Sequence, residues 1–188
     1  PTTRVCHGYA SIMVKDETEY THHQPEGFIK DSKRWVIFPR LSFMNHKKIE
    51  ARNQELSDIF SSYEKNTIHP SCDAFKDSKK GIATGGISYT YTMETLKKTG
   101  MVKTLKIATP HPFPEKLAVD FLSGLDEVLC LEELDPVIER ELIYICGKYH
   151  LPTRINGKLS GHTACAGENT RDTCLLYTSP SPRDVEES

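Results

Sequence analysis

The stretch Glu127-Val-Leu-Cys-Leu-Glu-Glu-Leu-Asp-Pro-Val-Ile-Glu-Arg-Glu-Leu-Ile143 sets the fold class. Its front, Val128 to Leu131, is apolar at four successive positions. A half-buried strand alternates, so an unbroken run predicts a parallel strand covered on both faces. Asp135 and Pro136 then read as a helix start: an N-cap, followed by a residue whose missing N–H costs nothing in the first turn. Val137, Ile138, Leu142, Ile143, Ile145, Cys146 and Tyr149 supply an apolar stripe for roughly four turns. Strand, short loop and helix make one βα unit.

The same unit recurs upstream. Gly81 to Gly86 (GIATGG) reads as a strand ending in two glycines, and the helix after it carries Ile87, Tyr91, Met93 and Leu96 and stops at Gly100. Val102, Leu105 and Ile107 mark a second strand, closed by the rigid turn Thr109 to Pro114. Pro114 opens a helix with Leu117, Ala118, Phe121 and Leu122 on its inner side. Leu151 to Ile155 (LPTRI) fits a last strand. Strands and helices alternating at this spacing predict an α/β domain over 80–157, doubly wound around a mostly parallel sheet with right-handed crossovers.

The preceding residues have another texture. FIK (28–30) and RWVIF (34–38) read as short extended pieces bounded by Pro25 and Pro39. Asn45 reads as the N-cap of a helix reaching about Tyr63, apolar at Ile49, Leu56, Ile59, Phe60 and Tyr63 and charged on its other side. Asn66 to Lys80 reads as a polar connector. Residues 11–79 are thus expected to form an extended and helical arm, and 158–173 a connection onward.

Composition excludes several classes. The chain has 188 residues, 24 Lys and Arg against 26 Asp and Glu, and no basic block, which argues against nucleic acid as a partner. No apolar run approaches the roughly 18 residues of a membrane span, and residues 1–20 lack the order of a secretory signal. The six cysteines, at 6, 72, 130, 146, 165 and 174, contain no CxxC pair. That spacing points to a reducing, cytoplasmic setting rather than to disulfides or an iron-sulfur cluster.

The termini carry their own signal. CLLYTSPSPRD (174–184) resembles the in-frame translation of a transposase sequencing adapter, so 174–188 is expected to be a disordered addition outside the fold. Pro1 enters without an initiator Met, and the chain reads as an internal piece of a longer polypeptide.

Local chemistry is sparse. Gly81 to Gly86 lacks GxGxxG spacing and a Walker lysine, so a tight turn competes with an anion cradle there. Glu132 and Glu133 follow a strand at its carboxyl end, where ligands of open α/β sheets sit. As strand neighbours they point to opposite faces, which makes a helix cap or a subunit contact compete with catalysis. The eight histidines form no HEXXH or other i,i+4 ligand pair, and GxSxG is absent. No catalytic set and no metal site emerges from these residues.

Six strings, in order, carry a resemblance: TTRVCHGY (2–9), RWVIFPR (34–40), GIATGGISYTYTMETL (81–96), LKIATPHPFPEKL (105–117), EVLCLEELDPVIERELI (127–143) and INGKLSG (155–161). Over most of 1–173 the chain resembles the alpha subunits of indolepyruvate:ferredoxin oxidoreductases, in the 2-oxoacid:ferredoxin oxidoreductase superfamily. The resemblance implies a transketolase C-terminal-like domain at 81–157, with 1–10 the trailing end of a pyrimidine-binding domain. It implies oxidative decarboxylation of an aryl pyruvate such as indolepyruvate with coenzyme A and ferredoxin, giving an aryl-acetyl-CoA, CO2 and reduced ferredoxin. Thiamine pyrophosphate, Mg and 4Fe-4S clusters would belong to the parent subunit and none to this segment, and a beta subunit would be the partner. Thr3, Arg4 and His7 then become candidate substrate or subunit contacts, and Gly85, Gly86, Glu132 and Glu133 candidate cofactor or interface contacts. The parts that would bind the cofactors lie outside the segment, so the segment alone is expected to be inactive. Two alternatives stay open: a superfamily member using pyruvate or 2-oxoglutarate, and a non-catalytic α/β binding or assembly module.

Overall fold

The computed structural model describes residues 13–16, 19–21, 23–36 and 38–178. The chain divides into two compact units, 1–52 and 53–188.

In the first unit, Ser32–Trp35 forms a single helical turn, α1, whose N-cap Asp31 accepts from the Lys33 and Arg34 amides at 3.0 and 3.2 Å. The RWVIF segment is therefore not a strand. An N-cap at Asp31, four residues ahead of Trp35, outweighs β-propensity where no strand among the described residues pairs with this segment. FIK (28–30) is irregular and exposed for the same reason.

Helix α2, Pro39–Ser61, crosses from the first unit into the second. It begins six residues before Asn45, because Pro39 fits a first helical turn and Arg40 to Met44 continue it without a breaker. Up to Arg52 only Leu41 is partly covered. Ile49 of the first unit is exposed; in the second unit Leu56 and Phe60 are half-buried and Ser57 is buried, whereas Ile59 and Tyr63 are exposed.

The second unit holds the sheet. Strands β1 (Thr67–His69), β2 (Lys80–Gly85), β3 (Lys103–Ile107), β4 (Glu127–Leu131) and β5 (Arg154–Asn156) lie in the order β1-β3-β2-β4-β5. The last four strands run parallel, and β1 pairs antiparallel with β3. The α/β class and the mostly parallel, doubly wound sheet expected from the sequence are thus borne out. Helices α3 (Gly86–Thr99), α4 (Glu115–Leu122) and α5 (Val137–Tyr149) make the crossovers.

β1 sits inside the stretch read as a polar connector, which also contains a short 3-10 turn at Asp73–Phe75. Three residues with one aliphatic side chain carry no alternating pattern. Pairing of Ile68 opposite Leu105 defines this strand.

Two apolar layers cover the sheet. On one face Ala83, Leu105, Val128 and Cys130 pack with Phe121 and Leu122 of α4 and Leu142 and Ile145 of α5. On the other face Ile82 and Leu131 pack with Leu96 of α3. The Val128–Leu131 run is therefore covered on both sides, as its unbroken apolar character requires. The segment after β5 ends in helix α6, Arg171–Thr178, which brings Cys174 into the second layer. Residues 174–178 thus differ from the expected disorder: they continue α6, with Cys174 buried and Leu175 half-buried. Residues 179–188 lie outside the described residues.

Candidate functional site

Order β3-β2-β4 places a switch point between β2 and β4, since the chain leaves β2 toward one side and returns to the other. In open α/β sheets ligands sit outside the carboxyl ends of the strands at such a point. Thr84 pairs with Leu131, so Gly85 and Glu132 are the next residues on the two adjoining strands. The structure therefore brings Gly85, Gly86, Glu132 and Glu133 together. Thr3, Arg4 and His7 lie outside the described residues.

Each of the four has a definite setting. A Cβ on Gly85 would lie 2.7 Å from the Ile107 carbonyl oxygen and 3.1 Å from Ile138 Cδ1, so strand, strand and helix meet there without room for a side chain. Gly86 has φ +58° and open space in front of it, a left-handed conformation that lets α3 start straight off the strand. Glu132 is buried and accepts from the Ile138 amide at 2.9 Å and the Glu139 amide at 3.0 Å. It caps α5, a role the sequence assigned to Asp135. Asp135 instead offers its carbonyl to the Val137 amide.

Burial raises the Glu132 carboxyl above its ordinary pKa, and the backbone donors at the helix start partly offset that rise. Glu133 points the other way. Its Oε1 accepts from the Asn169 amide at 3.0 Å, and Asn169 Nδ2 donates to Ser88 Oγ at 2.9 Å. Asn169 thus ties the end of β4 to the first turn of α3 across the switch point.

Three further polar residues organise this edge. Glu139 is fully buried, and both its carboxylate oxygens accept from the Leu159 amide at 3.1–3.2 Å. Asn66 Oδ1 accepts from the Ala108 and Thr109 amides, while its Nδ2 donates to Thr109 Oγ1 and the Phe60 carbonyl. Ser57 Oγ donates to the Phe113 carbonyl at 2.6 Å. Sequence reasoning missed these. Glu139 alone left a trace, as a charge three residues before Leu142 on the inner stripe of α5; the asparagine and serine roles depend on partners more than 40 residues away in the case of Thr109 and Phe113.

Chemically the edge is occupied by its own chain. The Glu132 carboxylate already fills the α5 N-terminus, where a diphosphate would otherwise be attracted, and would repel it. Among the described residues no three His, Cys, Asp or Glu gather as a metal ion would need. These residues therefore do not fit thiamine pyrophosphate, Mg or an iron-sulfur cluster. No helix of the described residues is long and apolar enough to cross a membrane.

No known protein-family model matches the chain. It is similar to the indolepyruvate oxidoreductase subunit IorA of Methanothermobacter thermautotrophicus, 33% identical over 162 residues, covering 85% of this chain and 25% of that protein. The subunit of the same name from Pyrococcus abyssi is also 33% identical over 162 residues, covering 84% and 24%. The chain thus spans about a quarter of the length of these relatives. A 2-oxoglutarate:ferredoxin oxidoreductase structure from Magnetococcus marinus, with 2-oxoglutarate, coenzyme A and succinyl-CoA bound, aligns at TM-score 0.48 and 15% identity, over 80% of this chain and 23% of that one.

Proposed function

We infer, for a chain that is a relative of the indolepyruvate oxidoreductase IorA subunits, that it is a segment of the alpha subunit of a cytoplasmic 2-oxoacid:ferredoxin oxidoreductase acting on aryl pyruvates. The 33% identity over 162 residues is the observation that carries this reading. The parent enzyme would convert an aryl pyruvate and coenzyme A to an aryl-acetyl-CoA and CO2, passing two electrons to ferredoxin, in complex with a beta subunit. Thiamine pyrophosphate would be held by parts of the parent outside this segment and would supply the keto-acid decarboxylation chemistry there.

Within that enzyme the segment works as a supporting lobe. Its carboxylates are committed to backbone amides: Glu132 to α5, Glu133 to Asn169, Glu139 to Leu159. A carboxylate already bonded to backbone N–H groups, two in the case of Glu132, is a poor proton carrier, because protonation weakens those bonds. Gly85, Gly86 and Glu133 lie at the lobe's exposed carboxyl edge and are the residues we assign to contact with the rest of the enzyme. Thr3, Arg4 and His7 keep their assignment as substrate or subunit contacts.

The test has two arms. Calorimetry of the purified chain with thiamine pyrophosphate and Mg should show no binding, and aryl pyruvate with coenzyme A should not reduce ferredoxin. The parent gene, read beyond both ends of this segment, should encode a thiamine pyrophosphate-binding region and a cysteine cluster. Unaided turnover by the chain, or a parent frame lacking both features, overturns the reading.

A further inference from the structure

The α3 side of the sheet carries a polar cluster, within the second unit, that neither the core nor the β2–β4 switch point uses. Ile68 and Leu105 pair across β1 and β3 and pack into the layer under α4 and α5. Strand alternation then sends Thr67, His69 and Lys106 to the α3 side. Thr84 joins them, since it lies opposite Lys106 on β2 and two residues from Ile82, which packs under α3. One row of side chains, Thr67, Lys106 and Thr84, therefore crosses three adjoining strands. From α3, Tyr89 closes over it. Lys106 Nζ sits 4.7 Å from the Tyr89 ring centroid, and Tyr89 Oη lies 3.0 Å from His69 Nε2. The two rings stack at 5.8 Å, and Thr67 Oγ1 is 3.4 Å from the same His69 nitrogen.

The charges in this cluster do not balance. Lys106, Tyr89, His69 and Thr67 are all half-buried, and among the described residues no carboxylate pairs with Lys106. A half-buried ammonium has given up water, and a ring face alone repays little of that loss. Thr84 Oγ1, one strand further in, is fully buried and has no hydrogen-bond partner. With its proton on Nε2, His69 donates to both Tyr89 and Thr67, which leaves their own hydroxyl hydrogens to point outward. An ammonium beside two free hydroxyl donors, with no acid among them, is the donor set of an oxyanion site. One ammonium balances one negative charge, which selects a carboxylate over a phosphate dianion or a diphosphate.

We propose that Lys106, Tyr89 and Thr67 bind the carboxylate of an acidic ligand between β1 and α3, with His69 as the positioning residue that turns the two hydroxyls toward it. Lys106 supplies the charge, and the hydroxyls fix the orientation of the carboxylate plane. The site stands on this cluster alone and does not rest on the enzymatic reading.

The experiment follows the His69 imidazole by NMR in the full 188-residue chain while sodium acetate replaces sodium chloride at constant ionic strength. A saturable shift of that signal is expected, with a Kd of about 1–10 mM. K106Q should raise the Kd at least tenfold and K106R should keep it within about threefold, because the charge is retained. Y89F and T67V, which remove one hydroxyl each, should each raise it about threefold. H69F keeps the ring stack but loses the donor and should do the same, while H69Q, followed by calorimetry, should bind close to the parent. Unchanged far-UV circular dichroism of each variant separates lost binding from lost folding. A blocked tripeptide with one central glutamate is the second probe: tighter binding than acetate assigns the carboxylate to a partner chain, weaker binding to a small molecule. No saturable shift, or a K106Q variant that binds acetate as the parent does, overturns the proposal. Inorganic phosphate binding ten times more tightly than acetate overturns the assignment to a carboxylate.

Discussion

The Glu139 carboxylate lies 2.6 Å from where a Cβ on Gly157 would stand. A side chain at 157 would therefore have to push the buried carboxylate aside. Glu139 reaches through the gap to the Leu159 amide and clamps the turn after β5 onto α5.

Gly157→Ala should therefore displace the carboxylate and destabilise the chain by about 1–3 kcal/mol, the usual cost of overpacking a filled site. Glu139→Ala should cost a similar amount by leaving the Leu159 amide unsatisfied. Urea denaturation of both, with the double variant, checks the pair. Coupling between the two sites is expected, because each single change breaks the same contact.

The raised pKa of Glu132 gives stability a definite pH slope. Between the unfolded carboxyl value near 4.5 and its higher folded value, the native state binds more protons than the unfolded one. This group's contribution then falls as pH rises through that window, and acidification from neutral recovers it. Glu132→Gln keeps one acceptor for α5 and should flatten that slope. Thermal unfolding between pH 4 and 7, compared with the parent, reads the difference.

Glu115 behaves in the opposite sense. Burial alone would raise it, but hydrogen bonds from Lys148 and Tyr149, each 2.5 Å from Oε1, outweigh burial and hold the carboxyl below its ordinary value. Its contribution is full above the unfolded carboxyl pKa and disappears as pH falls through the folded one. Glu115→Gln should lose stability at pH 7 and little at pH 3. Differential scanning calorimetry at the two pH values measures it.

A chain ending at Thr173 tests the adapter-like tail. Cys174 is fully buried in the layer beside Leu96, so its removal should cost about 2 kcal/mol or less and leave one cooperative transition. Loss of that transition would show the tail to be integral to the fold.

The sequence by itself determined the βα units, because their signals are local. An unbroken apolar run at Val128–Leu131, a stripe along α5 and the left-handed Gly86 at the start of α3 act within a few residues of where they stand. It also carried the likeness to a known enzyme subunit, which resides in the order of short strings rather than in any one contact. Helix starts were legible only in outline: Pro39 opened α2 ahead of Asn45, and the α5 cap came from Glu132, not Asp135.

Only the tertiary structure decided what the polar residues do. β1 exists because Ile68 finds Leu105 across 37 positions of chain, and Asn66 and Ser57 matter because their partners arrive from the loop after β3. Glu132 and Glu139 looked like acids available at the edge of a sheet. Folding turned both into anchors for amides, because a buried N–H without an acceptor costs more than the sequence pattern can reveal.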